Sequence, residues 1–363
     1  MQFPAKKSKG PHYYEILTNE KLELSILIGL WILVWFKGND WNVSKSSFSF
    51  KDVVSLMTVG AVVRKFYNDW LEFAYDNFPE KRTQPMKTNR EERDVTGRDL
   101  DELREIEQHD RITMLVKFFL DISFYFTIGK VLYPQFTFVD KLVVNKFIGM
   151  GTSSVLALIA HHYTLSFGMY FMHRYLHVNK YLWEKIHSKH HYAKTPLART
   201  TYMDHWLDNI INALIAEYCT QLLIPLPKVL LFASRIFRIL ESLEKHSGMS
   251  GPINIVHTLQ RIFPYAQQPH HHDWHHEGFK GSNYTFSSIG GLWDALFLTR
   301  HPGRSDKQAT VAATSYDYRQ NASGGSKGGK SAYKQLNAIF DRACPLVLTA
   351  FFSAAVAKAY AAS

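Results

Sequence analysis

The sequence predicts an all-α, polytopic integral membrane fold, and three observations carry that expectation. Apolar runs recur along the 363 residues, separated by charged stretches, and about 20 apolar residues suffice for a bilayer-spanning helix. No long segment alternates apolar and polar residues with the period of a strand. Only Cys219 and Cys344 are present, so no disulfide framework stands in for a core. A hydrophobic share of 46% with 14% aromatics also excludes a disordered chain and a collagen-like repeat. The mean hydropathy of -0.19 conceals the runs because charged stretches offset them. The excess of 42 Lys and Arg over 32 Asp and Glu is spread through loops without a recognisable nucleic-acid module. An anionic membrane leaflet is therefore the better partner for that charge.

In chain order, residues 1–21 carry Lys6, Lys7 and Lys9 with no apolar segment. They read as a cytosolic N-terminal segment rather than a signal peptide. Residues 22–145 read as membrane helices, with apolar runs at Leu22 to Phe36 and Ile112 to Tyr133 around a polar segment at 79–111. Acids and bases alternate in that segment, as on a solvated helix. Residues 146–300 open on a third run, Phe147 to Phe171. A fourth, Leu207 to Leu231, is interrupted by Glu217, Pro225 and Pro227, so two half-helices are expected. Residues 301–342 are rich in Gly, Ser and Lys and read as a flexible linker, and 343–362 as a C-terminal hydrophobic helix.

Of the 18 His, eight lie between His161 and His205 and seven between His246 and His276. Within those windows His173 and His177 stand four apart, and the pattern His-x-x-His-His occurs twice, at His187, His190 and His191 and at His272, His275 and His276. Residues four apart share a helix face, so their imidazoles can reach one ion. Eight neutral imidazoles exceed what a closed structural zinc site uses, which suggests two ions with positions left open. Iron, copper and zinc all accept imidazole. Lys180, Lys185, Lys189 and Lys194 surround the boxes and argue for a histidine-box dimetal site on the cytosolic face, reached by an apolar substrate from lipid. His161 and His162, inside an apolar run, read as substrate-path or supporting groups.

The order of the three boxes behind a hydrophobic segment resembles the fatty acid hydroxylase and sterol desaturase superfamily of membrane diiron oxygenases, over roughly 159–300. Glu244-Lys-His246-Ser-Gly248, Lys280-Gly-Ser-Asn283-Tyr284-Thr-Phe and Leu292-Trp293-Asp294-Ala-Leu-Phe297-Leu-Thr299 resemble elements of the sterol-oxidising branch, that of sterol 4-methyl oxidases and cholesterol 25-hydroxylases. Asp204-His205-Trp-Leu-Asp208 resembles that branch's His-Pro-x-Glu element. The chain departs from the pattern where Trp206 follows His205, where Ser250 replaces a second His, and where Leu298 replaces Gly.

The resemblance implies two iron ions and dioxygen, ligated by His173, His177, His187, His190, His191, His246, His272, His275 and His276, with His271 and His205 as further candidates. Asp273, Glu184, Glu244 and Glu277 adjoin ligands and are candidates to orient them from behind. No catalytic side chain beyond the ligands is implied. The implied activity is oxidation of a methyl or methylene C–H of a sterol or similar lipid, in lipid or sterol biosynthesis. Electrons would come from NAD(P)H through a reductase and cytochrome b5. The implied location is the endoplasmic reticulum membrane, multi-pass, with the site facing the cytosol. Alternatives are a fatty acyl or sphingolipid hydroxylase, an aldehyde-forming wax enzyme of the same superfamily, and, in another class, a membrane metal transporter or metal-binding protein. Transport would place His or acids along several spans, whereas the boxes lie mostly beyond the apolar runs. Substrate, regiochemistry, number of spans and oligomeric state are not legible.

Overall fold

The computed structural model describes residues 32, 50–78, 81–82, 100–124, 146–193, 196–226, 228–249, 251, 253–260, 267–276, 285–287, 291–300 and 330–362. The first apolar run lies outside the described residues except at Ile32, as do 125–133 of the second and 301–329 of the linker. The described chain is mostly helical and contains no β-strand, only an isolated bridge between Arg82 and Met249.

Five long helices form the frame: α1 (Phe50–Asn77), α2 (Leu100–Ser123), α3 (Lys146–Val178), α7 (Lys228–Lys245) and α11 (Lys330–Ala362). Short elements carry the chain between them: α4 (Lys180–Lys185), α5 (Trp206–Asn209), α6 (Ile215–Leu223), α8 (Ile255–Gln260), α9 (Pro269–His276) and α10 (Leu292–Leu296). A π-helical segment, Ile210–Leu214, joins α5 to α6. The broken fourth run is observed as expected in kind: α6 ends at Leu223, a turn follows, and α7 begins at Lys228. His161 donates from Nδ1 to the carbonyl of Ile224 at 2.9 Å, so it fastens this turn.

Among the described residues, two helices are long and apolar enough to cross a membrane, within Val155–Val178 and Ala338–Ala361. The C-terminal helix departs from expectation, since it starts at Lys330 and makes 330–342 helical rather than linker. Leu336, Ile339 and Phe340 give that stretch a helix-spaced apolar face that its Gly-rich neighbours obscure.

α1 packs along α7, while α3, α6 and α11 pack on one another. Both contacts need a glycine. A Cβ on Gly60 would meet Ile239 Cδ1 at 3.0 Å, and one on Gly168 would meet the Phe351 ring at 2.8 Å and Ala216 Cβ at 3.1 Å. One core gathers Val53, Phe124, Leu222, Leu230, Leu231 and Phe351, and another places Tyr170, Phe171 and Phe286 against Cys344 and Leu348 of α11. Outward from these cores, Phe50, Val59, Phe66, Phe119, Leu346 and Val356 are exposed, an apolar surface suited to lipid. Inside the frame, Arg235 forks onto Asp121 at 2.8 and 2.9 Å, also bonds Glu217, and so neutralises charge that would otherwise be costly there.

Candidate metal centre

All nine imidazoles expected as ligands come together, in two adjoining sets. His173, His177, His187, His191 and His275 form one, and His190, His246, His272 and His276 the other; within each, the ligand atoms lie within 4.8 Å of one another. His173 and His177 leave the last turns of α3. Asn179 then caps α4 by accepting the Leu182 N–H at 3.0 Å, which turns the chain back. The second box follows as a 3-10 turn, His187–Tyr192. His246 sits just past the end of α7, and α9 opens on Pro269, a residue preorganised for a helix start, before presenting the third box.

The boxes are divided between the sets in a way that spacing alone did not indicate. His187 and His191 stay together, as do His272 and His276, but His190 and His275 cross to the opposite set. In the α-helical third box, positions i+3 and i+4 diverge by about 100°, so His275 points away from His276. The second and third boxes thus each bridge both sets.

Ring tautomers follow from the partners of Nδ1. His173 donates to the carbonyl of Phe286 at 2.8 Å, His246 to Ser242 at 2.7 Å, and His276 to Ala193 at 2.9 Å. His187 faces Asp208 Oδ2 at 2.7 Å. A carbonyl or carboxylate only accepts, so the proton sits on Nδ1 and the lone pair on Nε2. Burial, and then the neighbouring imidazoles, hold His246 and His276 well below the usual histidine range, and burial lowers His190 to about 4, so these rings are neutral. The Nε2 atoms nonetheless converge: His173 and His187 at 3.1 Å, His187 and His177 at 3.0 Å, His272 with His246 at 3.0 Å and with His276 at 3.1 Å. Between His173 and His187, both protonated on Nδ1, lone pair faces lone pair, an arrangement that a cation between them relieves. Four further rings, His177, His190, His191 and His272, leave Nδ1 buried without a partner among the described residues.

The donor set therefore fits a metal. With metal–nitrogen bonds of about 2.0–2.1 Å, neighbouring ligand atoms stand roughly 2.9 Å apart at right angles and roughly 3.4 Å apart in a tetrahedron. The observed separations fall in that interval. Aromatic rings cover the first set: Phe286 lies 5.1 Å from the His177 ring and Trp183 lies 4.9 Å from it.

The remaining candidates do other work. His271 accepts the Gln268 N–H and His205 accepts the Leu207 N–H through Nδ1, and both stand outside the two sets. Each is a helix-capping side chain, which the local sequence cannot distinguish from a ligand. Glu244 spends its carboxylate on Tyr67, on the N–H groups of Val256 and His257, and on His257 Nδ1, so it braces the α7 to α8 connection instead of orienting His246. Glu184 is exposed, with Lys180 at 3.9 Å, because it faces outward from α4. Asp273 is buried beside His272, and Glu277 lies outside the described residues.

What orients the rings was largely invisible beforehand. Backbone carbonyls have no sequence signature. Asp208, quoted only within a sterol-branch element, is the carboxylate behind His187. The Trp293-Asp294 motif acts one step removed: buried Asp294 accepts the N–H groups of Phe286 and Ser287 at 2.9 Å and the Thr299 hydroxyl at 2.6 Å. It thereby fixes the carbonyl that holds His173.

Residues 154–299 match the fatty acid hydroxylase family. This segment is similar to the fatty acid hydroxylase domain. Among curated proteins, the chain is similar to "Very-long-chain aldehyde decarbonylase GL1-9" of Oryza sativa subsp. indica, 30% identical over 137 residues, which are 37% of this chain and 50% of that protein. It is similar to "Sphinganine C4-monooxygenase 1" of Arabidopsis thaliana, 29% identical over 175 residues, 47% and 62% of the two chains. "Methylsterol monooxygenase 1" of Gallus gallus is 31% identical over 135 residues, 36% and 41% of the two chains. The chain thus spans about half the length of the curated relatives it matches. No solved structure matches it.

Proposed function

We propose that the chain is an iron-dependent membrane oxygenase that uses dioxygen to oxidise a methyl or methylene C–H of a sterol or similar lipid. The observation that carries this reading is the convergence of nine imidazoles into two sets whose Nε2 atoms face one another. The ligands are the nine His themselves, five on one ion and four on the other. Two bound iron ions supply the activation of dioxygen, a chemistry that side chains alone do not perform. The chain's own residues position. The carbonyls of Phe286, Ser242 and Ala193 and the carboxylate of Asp208 fix ring direction and tautomer. Phe286 and Trp183 keep water from the first set. We take 146–300 as the catalytic region, the endoplasmic reticulum as its membrane with the site toward the cytosol, and NAD(P)H through a reductase and cytochrome b5 as the electron source.

Metal content tests the ligand set. Purified protein is expected to hold close to two ions per chain, and His190→Ala and His275→Ala each to lose metal from the set they belong to; unchanged content in both variants would sink the assignment. The substrate is tested in yeast lacking its own sterol 4-methyl oxidase, by lipid mass spectrometry with the intact chain and with His272→Ala. Clearance of 4-methylsterols by the intact chain alone is expected. Hydroxylated acyl or sphingoid chains, or hydrocarbons one carbon shorter than wax aldehydes, would transfer the reading to the sphinganine or aldehyde chemistry after which two relatives are named.

A further inference from the structure

A passage reaches the metal centre, and its chemistry changes along its length. Next to the centre, a small chamber is walled by His173 of the first set, by His190, His246 and His272 of the second, and by Thr201, Asp204, Asn209, Asn212 and Ser242. A larger cleft beyond it is lined mainly by apolar side chains, among them Leu56, Met57, Met114, Leu165 and Ile239 from α1, α2, α3 and α7, with Arg64, Lys117, Glu217 and Arg235 also reaching it. Met169, Tyr202, Asn209, Ala213, Arg238 and Ser242 line both, so the two are continuous. The polar end of the passage is thus at the metal and the apolar end away from it.

Charge in the chamber wall is already matched. Arg238 and Lys245 both pair with Glu241, Asp208 pairs with His187, and Asp204 is likewise engaged. Apart from Nδ1 of the candidate ligands His190 and His272, the wall leaves one acceptor unmatched: Asn212 Oδ1 is buried and lacks a partner among the described residues. A buried acceptor left alone is costly, and a neutral donor relieves it without introducing an uncompensated charge.

We propose that the passage takes a long-chain lipid alcohol head-first, with its hydroxyl donating to Asn212 Oδ1 and its hydrocarbon body in the cleft between α1, α2, α3 and α7. The carbons nearest the hydroxyl then face both imidazole sets. Taken with the oxygenase reading, on which this last consequence rests, oxidation falls close to the alcohol end and not in mid-chain or at the far terminus.

Orientation is read by photolabelling the purified full-length protein in nanodiscs with two hexadecan-1-ol probes, one carrying a diazirine beside the hydroxyl and one near the methyl end. The first is expected to label the segment around Thr201, Asn212 and Ser242, the second the segments around Met57 and Met114, and excess hexadecan-1-ol to suppress both. A reversed or identical pattern, or labelling that hexadecan-1-ol does not suppress, overturns the proposal. In the same nanodiscs, hexadecan-1-ol should outcompete 1-methoxyhexadecane, which lacks the donor, by roughly three- to tenfold, the yield of one buried hydrogen bond. Asn212→Leu should abolish that preference, and equal competition in the wild type overturns the proposal whether or not the variant folds. Metal content is measured on the same samples. Intact labelling on protein that binds no metal would remove the oxygenase reading and leave head-first binding standing.

Discussion

Asp208 illustrates how one side chain reaches the centre through another. It is buried, and its carboxylate sits 2.7 Å from His187 Nδ1. Asp208→Asn keeps the size but offers a weaker acceptor and a competing donor, so His187 loses its preferred tautomer. Metal affinity is expected to fall on the order of 10- to 100-fold, measured by competition against a chelator; wild-type affinity would reduce Asp208 to a packing residue. Leu298 is a different case. It occupies the position where the resembling family carries Gly, and its backbone lies at φ 56°, in the left-handed region that a branched side chain enters at a cost. Leu298→Gly should therefore raise the thermal midpoint modestly, by an amount corresponding to about 1 kcal/mol, with metal content unchanged. A lowered midpoint would mean that packing of the Leu298 side chain outweighs the backbone strain. The sequence exposed this departure but not its geometry, because φ at one residue depends on the hydrogen bonds of Thr285, Asp294 and Thr299 around it.

At the level of elements, legibility follows range. The three boxes were legible because the spacing of i and i+4 is a local property of helical turns, and each such pair does stay in one set. Which set each i+3 ring joins was not, since it depends on how α3, the 187–192 turn, α7 and α9 meet. The π-helical segment before α6 and the early start of α11 also escaped, one because no residue signals it and the other because linker composition masked an apolar face. Helix proximity hides in glycines too. Gly168 lets α3 approach α6 and α11, and a methyl group there meets the edge of the Phe351 ring and Ala216 at once. Gly168→Ala is expected to destabilise by about 1–3 kcal/mol through overpacking. Gly60→Ala should cost less, because it meets only the far end of the flexible Ile239 side chain at 3.0 Å. Thermal midpoints of the two variants in detergent provide the comparison, and equal or reversed losses would show that the α3 contact is more compliant than its distances indicate.

For the whole molecule, the metal centre is the point at which four separate stretches of chain meet: the end of α3, the turn carrying His187, His190 and His191, the end of α7, and α9. Without ions those stretches bring buried Nε2 atoms to within 3.0–3.3 Å of one another. Where two lone pairs meet, as between His173 and His187 at 3.1 Å, the repulsion is relieved by water, by protonation against the burial that opposes it, or by the segments moving apart. Binding energy at the centre is in consequence folding energy for the assembly of helices, contributed only by the state in which all four stretches are in place. Removing the ions with a strong chelator should lower the thermal midpoint by several degrees, and restoring them should recover it; free metal at one hundred times its dissociation constant corresponds to about 2.7 kcal/mol. The loss should be largest in α9 and the 187–192 turn, which have few other buried apolar contacts, and smallest in α3 and α11, whose packing on each other through Phe171, Phe351 and Leu348 is independent of the ions. Hydrogen exchange with and without chelator separates the two regions. Uniform protection after verified metal loss would mean that the helical frame alone fixes the imidazoles, and that the convergence of their lone pairs is maintained by packing against its own repulsion.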